Sequence, residues 1–207
     1  MNLADKVTSL RLVLAPLFFI VYLLPRLVPF WPAAGGVWTV PVLWAVFVVS
    51  ELTDMLDGFL ARRRGETSDF GKLFDPFADT LTQLSYFLCF VIDGILPAPL
   101  YLLVLYREYS ILFVRNLMLK KGVAMGARIM GKVKTVTYIL AAALALSASS
   151  LMRLSLPGLI FGVKIAAQAV FFFSVVLSVL SFMDYLSVYR KAPGTVGGKP
   201  EDSVKKF

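Results

Sequence analysis

Four aspartates near the junction of two apolar segments are the residues of this sequence best suited to chemistry. Asp54 and Asp57 are three residues apart and Asp75 and Asp79 are four apart, so each pair shares one face of a helix. Carboxylates grouped beside apolar sequence repel one another unless cations neutralise them. The chain has no histidine, and oxygen ligands alone favour Mg²⁺ or Mn²⁺. Four carboxylates would suit two such ions about 4 Å apart, an arrangement that clamps a phosphate for in-line displacement.

The elements that must position these aspartates are long apolar helices. Hydrophobic residues make up 58% of the 207 residues, and the mean hydropathy is +0.78. Apolar runs lie near residues 10–28, 37–58, 72–92, 97–118, 134–152 and 157–188. A bilayer core takes about 20 helical residues, so we predict an all-α integral membrane protein with six transmembrane helices. The membrane domain spans 1–190, and the polar tail, 191–207, is predicted to be disordered.

The distribution of basic residues predicts an orientation. Lysines and arginines are concentrated near the N-terminus, in the second and fourth connections and in the tail, whereas the opposite connections contain Arg26 and Arg153. The positive-inside rule then places both termini and the aspartates on the cytoplasmic side, with the active site between helices 2 and 3. The net charge of +8 is interpreted as facing anionic lipid, and no nucleic-acid partner is expected.

The aspartates belong to a longer motif. Residues 54–79 fit the pattern D-x2-D-G-x2-A-R-x8-G-x3-D-x3-D at every fixed position. The stretch resembles the signature of the CDP-alcohol phosphotransferase family, whose members cleave the pyrophosphate of a CDP-alcohol, release CMP and use a divalent metal. The resemblance implies roles for the matching residues. The metal ligands would be Asp54, Asp57, Asp75 and Asp79, the general base Asp79, and the CDP-binding residues Gly58, Ala61, Arg62 and Gly71.

Further segments resemble the bacterial phosphatidylglycerophosphate synthases within this family. These are the N-x5-T-x2-R opening, the basic residues of helix four and the run GKVKT at 131–135. The resemblance implies that CDP-diacylglycerol reacts with sn-glycerol 3-phosphate in the bacterial inner membrane, and it suggests a homodimer. A phosphorylated acceptor needs positive charge, and the candidate residues are Arg107, Arg115, Lys132 and Lys134. Each also has an ordinary explanation: positive-inside charge for the lysines, an ion pair with Glu108 for Arg107, and snorkelling for Arg115.

One departure leaves the acceptor open. Synthases of this subfamily usually have a lysine directly after the fourth aspartate, whereas this chain has Thr80. Inositol phosphate, serine or a cholinephosphotransferase-type reaction therefore remain alternatives. A different class, a cation transporter, would also explain intramembrane acids, with Glu51 and Asp184 as further candidates. The position of the acids near one face and the small residues Gly58 and Ala61 favour an enzyme instead.

Overall fold

The structure is a computed structural model that describes the backbone of residues 3–28, 36–64, 69–120 and 129–191. It describes the side chains of residues 8–28, 36–55, 74–118 and 133–190. All regular elements in these ranges are helices, which confirms the all-α prediction. They are α1 (Leu3–Leu27), α2 (Thr39–Arg64), α3 (Asp69–Ile92), α4 (Ala98–Lys120), α5 (Ile129–Arg153) and α6 (Pro157–Lys191). The predicted disordered tail lies outside the described residues, apart from Lys191 at the end of α6.

Helix α3 is central to the packing. It contacts α1, α4 and α5, while α5 packs along α6 and α4 also packs against α6. Helix α1 packs against both α2 and α3, and among the described residues α2 and α3 contact each other far less than each contacts α1. The site predicted between helices 2 and 3 therefore also includes a side chain of α1.

Aromatic side chains fill the core around α3. Phe18 of α1 lies against Tyr86 of α3 with ring centroids 4.5 Å apart, and Phe87 lies 4.8 Å from Phe171 of α6. Such pairs add about 0.5–1.5 kcal/mol each beyond the burial of their area. All four side chains are buried, so they fix how α1 and α6 are placed relative to α3.

The outward faces are strongly apolar. Large exposed residues include Phe161, Phe172 and Met183 on α6 and Phe113 on α4, which is what a lipid-facing surface requires. Within the described residues, three segments are long and apolar enough to cross a membrane: Thr8–Leu27, Val133–Arg153 and Pro157–Arg190. The prediction of six spans rests on the sequence for α2, α3 and α4.

The helices extend further at the aspartate end than the apolar runs do. Helix α2 continues to Arg64 and α3 begins at Asp69, whereas the apolar runs end near 58 and resume near 72. A helix can leave the hydrocarbon without ending, because its backbone hydrogen bonds are satisfied internally. The backbones of Asp57, Gly58 and Ala61 therefore belong to α2, and so does that of Arg62, which the sequence had placed in the connection.

A buried polar cluster holds the opposite end of the bundle together. This far-end cluster consists of Tyr22, Thr39, Asp93, Ser149 and Arg153. The Tyr22 hydroxyl donates to Asp93 at 2.6 Å and lies 2.9 Å from the Ser149 hydroxyl. Arg153 donates to the Thr39 hydroxyl at 2.8 Å and to the Tyr22 carbonyl at 3.0 Å. The contacts join α1, α2 and α5 to the end of α3.

Candidate functional site

Two of the predicted metal ligands meet around an arginine of α1. The Arg11 guanidinium lies 2.5 Å from an Asp54 oxygen on α2 and also forms an ion pair with Asp79 on α3. The Arg11 side chain is 3% exposed, whereas both carboxylates are 40% exposed. The arginine therefore supports the acids from inside the protein and leaves part of each carboxylate open.

The third described aspartate is held from the same helix. The Thr8 hydroxyl donates a hydrogen bond to Asp75 at 2.7 Å. Thr8 and Arg11 are three residues apart, so one face of α1 serves Asp75, Asp54 and Asp79. We call these five residues the aspartate cluster. The sequence argument gave Thr8 and Arg11 no site role, although the N-x5-T-x2-R opening to which both belong was the signal for one.

The aspartates of this cluster offer only carboxylate oxygens as metal ligands. Among the residues whose side chains are described, no group of three or more acidic, cysteine or histidine residues is close enough to hold a metal ion. The fourth predicted ligand, Asp57, lies outside those residues. Asp54 and Asp79 meet at Arg11 with side chains 40% exposed, and Asp75 is bonded to Thr8 on the same helix. Carboxylate oxygens match the hard, oxygen-preferring chemistry of Mg²⁺ and Mn²⁺. The donor set is thus consistent with the predicted metal.

A cavity of about 180 Å³ opens beside Asp79. Its floor comes from α3, with Asp79, Thr80 and Gln83, and its walls come from α4, α5 and α6. Asp79 and Gln83 also border a second, smaller cavity that contains Glu51 and Asp54. Asp79 therefore lies between Asp54 and the larger cavity.

The wall opposite Asp79 is strongly basic. We call Arg107, Glu108, Arg115 and Lys134 the cation wall, and all four line the larger cavity. Both Glu108 oxygens accept from Arg107, at 2.8 and 2.9 Å, and Lys134 Nζ lies 2.6 Å from Glu108. The ion pair between Arg107 and Glu108, considered from sequence as an ordinary explanation, is therefore present.

The two arginines of this wall have different surroundings. Arg107 Nε donates to the Ser178 carbonyl of α6 at 3.0 Å, so its guanidinium is bonded on several sides. Arg115 donates to the Tyr185 hydroxyl at 3.1 Å, its guanidinium lies 5.5 Å from the Tyr185 ring centroid, and its buried Nε has no hydrogen-bond partner. A buried N–H without a partner is costly, and an anion in the cavity would satisfy it. Arg115 is thus held against Tyr185 of α6 beside the cavity.

The other predicted site residues lie outside the described side chains. They are Asp57, Gly58, Ala61 and Arg62 on α2, Gly71 on α3 and Lys132 on α5. Their backbones belong to helices whose described parts reach the site, and their roles stay predictions. Glu51 lines the smaller cavity, three residues before Asp54, whereas Asp184 lines neither cavity described here.

Comparison with known proteins gives one consistent result. Residues 1–180 match the profile of the CDP-alcohol phosphatidyltransferase family. The CDP-diacylglycerol--glycerol-3-phosphate 3-phosphatidyltransferase of Treponema pallidum (strain Nichols) is 38% identical over 193 residues, which cover 91% of this chain and 89% of the relative. Proteins of the same name from Escherichia coli (strain K12) and Bacillus subtilis (strain 168) are 31% and 30% identical. They cover 91% and 68% of this chain, and the matches span 95% and 74% of the relatives.

Proposed function

The chain belongs to the CDP-alcohol phosphatidyltransferase family, and we propose that it transfers the phosphatidyl group of CDP-diacylglycerol to sn-glycerol 3-phosphate. The products are phosphatidylglycerophosphate and CMP. Family membership makes the protein a transferase rather than a cation transporter. The names of the relatives support this donor and acceptor, and the position of Asp79 between the aspartates and a basic cavity carries the assignment.

Asp79 is the proposed general base. It borders both cavities, so a hydroxyl in the larger one can reach it while a pyrophosphate lies against the aspartates. The acceptor oxygen attacks the phosphatidyl phosphorus, and a new P–O bond forms. The P–O bond to the bridging pyrophosphate oxygen breaks, so CMP leaves with the bonding electrons. The hydroxyl proton passes to the Asp79 carboxylate. Positioning both reactants is the main contribution of such a site.

We propose that Asp54, Asp57, Asp75 and Asp79 hold two Mg²⁺ or Mn²⁺ ions. When bound, these ions neutralise the pyrophosphate and stabilise the leaving CMP. The chain's own part is to keep the carboxylates converged. Arg11 does so by its ion pairs with Asp54 and Asp79, and Thr8 orients Asp75. From the motif, the CDP group is assigned to Gly58, Ala61, Arg62 and Gly71.

The cation wall is the proposed site for the acceptor's phosphate. Arg115 and Lys134 line the cavity, and Lys132 is assigned here from sequence. Thr80, which replaces the usual lysine, is 8% exposed and lines the same cavity as Lys134. The positive charge that Thr80 does not supply is therefore available from α4 and α5. This supports a phosphorylated acceptor over serine or diacylglycerol.

The cellular setting follows from the same reasoning. We propose a multi-pass protein of the bacterial inner membrane with both termini in the cytoplasm, where glycerol 3-phosphate is available. The exposed apolar faces suit lipid, and the diacylglycerol tails remain beside them during the reaction. A homodimer, suggested by the family resemblance, belongs to the proposal.

An acceptor panel tests this function. Purified protein with CDP-diacylglycerol and Mn²⁺ should release CMP with glycerol 3-phosphate and not with inositol phosphate, serine or glycerol. Chelation by EDTA should abolish release, and added Mn²⁺ should restore it. Release with another acceptor alone would reject the acceptor assignment, and CDP-choline with diacylglycerol tests the remaining alternative. Unchanged turnover in EDTA would reject the metal.

A further inference from the structure

Glu108 is an acid placed among the cations of the proposed acceptor site. It is 4% exposed and makes close contacts with Arg107 at 2.8 and 2.9 Å and with Lys134 at 2.6 Å. Among the described residues that line the larger cavity, Glu108 and Asp79 are the acidic ones. An acid in an anion site weakens the attraction for a phosphate by its charge alone, so its presence requires another explanation.

The contacts of Lys134 supply that explanation. Its Nζ is bonded to Glu108 and lies 4.7 Å from the Tyr138 ring centroid. The Tyr138 hydroxyl is itself bonded to Ser178 at 2.8 Å, so this ring is fixed against α6. A lysine ammonium has three donors on a flexible stem. Glu108 uses one of them and, together with the ring, holds the ammonium at the cavity wall with donors left for a ligand.

Arg107 completes the arrangement from the other side. Its guanidinium binds both Glu108 oxygens, and its Nε binds the Ser178 carbonyl. Arg107 therefore anchors Glu108 to α6. The formal charge of the cation wall, with three cations and one anion, is +2, which matches a phosphate monoester dianion. Without Glu108, Arg107 and Lys134 would repel each other in a buried site.

We propose that Glu108 is a positioning residue that holds Lys134 in place to bind the acceptor's phosphate, with Arg107 as its anchor. This inference rests on the proposed function, because it assumes a phosphorylated acceptor in this cavity. It gives Arg107 an anchoring role through its bonds to Glu108 and Ser178, in addition to its place in the cavity lining. In this proposal the unpartnered Nε of Arg115 and the remaining donors of Lys134 face the phosphate.

Kinetics of Glu108→Gln test the proposal. Loss of the tether should raise KM for glycerol 3-phosphate at least tenfold, while KM for CDP-diacylglycerol stays within twofold. Asp93→Asn is the matched control, because Asp93 is also a buried acid, paired with Arg26 and Tyr22 in the far-end cluster. It should leave both KM values unchanged. An unchanged or lower KM for glycerol 3-phosphate in Glu108→Gln would overturn the proposal.

A double-mutant cycle shows whether Glu108 acts through Lys134. Lys134→Met should raise the same KM, and Glu108→Gln should add less than twofold in the Lys134→Met background. If the two substitutions instead raise KM for glycerol 3-phosphate by factors that multiply in the double variant, Glu108 does not act through Lys134. If Glu108→Gln does not fold, Glu108→Asp decides, since it keeps the charge but withdraws the carboxylate. A raised acceptor KM supports the tether, and an unchanged one opposes it.

Failure of the proposed function looks different. In that case the wild-type protein would release no CMP with glycerol 3-phosphate, and none of the variants could be compared. Calorimetric titration of glycerol 3-phosphate into protein without CDP-diacylglycerol measures acceptor binding independently of turnover. Weaker binding in Glu108→Gln than in Asp93→Asn supports the tether, and equal binding opposes it.

Discussion

The two ends of the bundle contain ion pairs of the same length in opposite settings. Arg11 and Asp54 approach to 2.5 Å at the site, and Arg26 and Asp93 approach to 2.5 Å at the far end. At the site the arginine side chain is 3% exposed and the carboxylate 40%. At the far end the arginine is 52% exposed and the carboxylate 8%.

This inversion accords with the binding role proposed for the site and with a structural role for the far end. A carboxylate supported from inside by a buried arginine can present its free oxygen to a ligand. A buried carboxylate bonded to Tyr22 and capped by an outer arginine is occupied by the protein itself. Neither cavity described above is lined by a far-end residue. Whether the carboxylate or the arginine is the exposed partner therefore indicates a binding site better than the presence of the ion pair does.

The largest effect on turnover is expected when the exposed carboxylate that borders both cavities is removed. Asp79→Asn should lower kcat about 10²- to 10⁴-fold, because an amide cannot take the acceptor proton. Cytidine nucleotide binding should persist, since the amide oxygen can still face a cation. CMP release and nucleotide calorimetry measure the two effects. Turnover equal to that of the wild type would exclude the base role.

A smaller loss of turnover is expected when the buried arginine at the site is removed. Arg11→Met leaves Asp54 and Asp79 without their counter-charge, and we expect turnover to fall roughly tenfold. Stability without metal should drop by about 1–3 kcal/mol, which is less than for fully buried pairs because the carboxylates are partly exposed. Mn²⁺ should then raise the melting temperature more in this variant than in the wild type.

Arg26→Met is the control for that experiment, because it removes a pair of equal length at the far end. Its response to Mn²⁺ should equal that of the wild type. If the Arg11 variant also responds like the wild type, Arg11 does not share its carboxylates with a metal.

The smallest effect on turnover is expected from the far-end cluster. Tyr22→Phe removes the hydroxyl bonded to Asp93 and Ser149, and stability should fall by about 1–3 kcal/mol because a buried charged group loses a donor. Both KM values and kcat should stay within twofold of the wild type. A large loss of turnover in a folded Tyr22→Phe protein would mean that the far end communicates with the site.

The sequence predicted the helices well, and it placed the aspartates on α2 and α3, because both depend on local spacing. The motif on α2 and α3 follows helical periodicity, and the pair of Arg107 and Glu108 is adjacent in the chain. Arg11, by contrast, lies 43 residues from Asp54 and 68 from Asp79. Its role depends on which helices pack together, and packing is set by the fit of side-chain ridges into grooves rather than by spacing along one helix.

The same limit applied to the acceptor pocket. Lys134 was a candidate because it is basic, but its bond to Glu108 crosses 26 residues and joins two helices. From sequence alone, Arg107 and Lys134 were both candidates for binding the acceptor's phosphate. The structure shows different partners for the two, because Arg107 is bonded to Glu108 and to the Ser178 carbonyl, whereas Lys134 is bonded to Glu108 beside the Tyr138 ring.

The length of α6 has a consequence for how the two substrates arrive. Its 35 residues extend about 52 Å at 1.5 Å per residue, well beyond a hydrocarbon layer of roughly 30 Å. The residues that meet the acceptor pocket, Ser178, Ser181 and Tyr185, all lie in its final half. A water-soluble alcohol can thus enter from the aqueous phase beside the end of α6 that extends past the hydrocarbon layer. A lipid donor can enter from the bilayer between neighbouring helices, so neither substrate has to cross the other's phase.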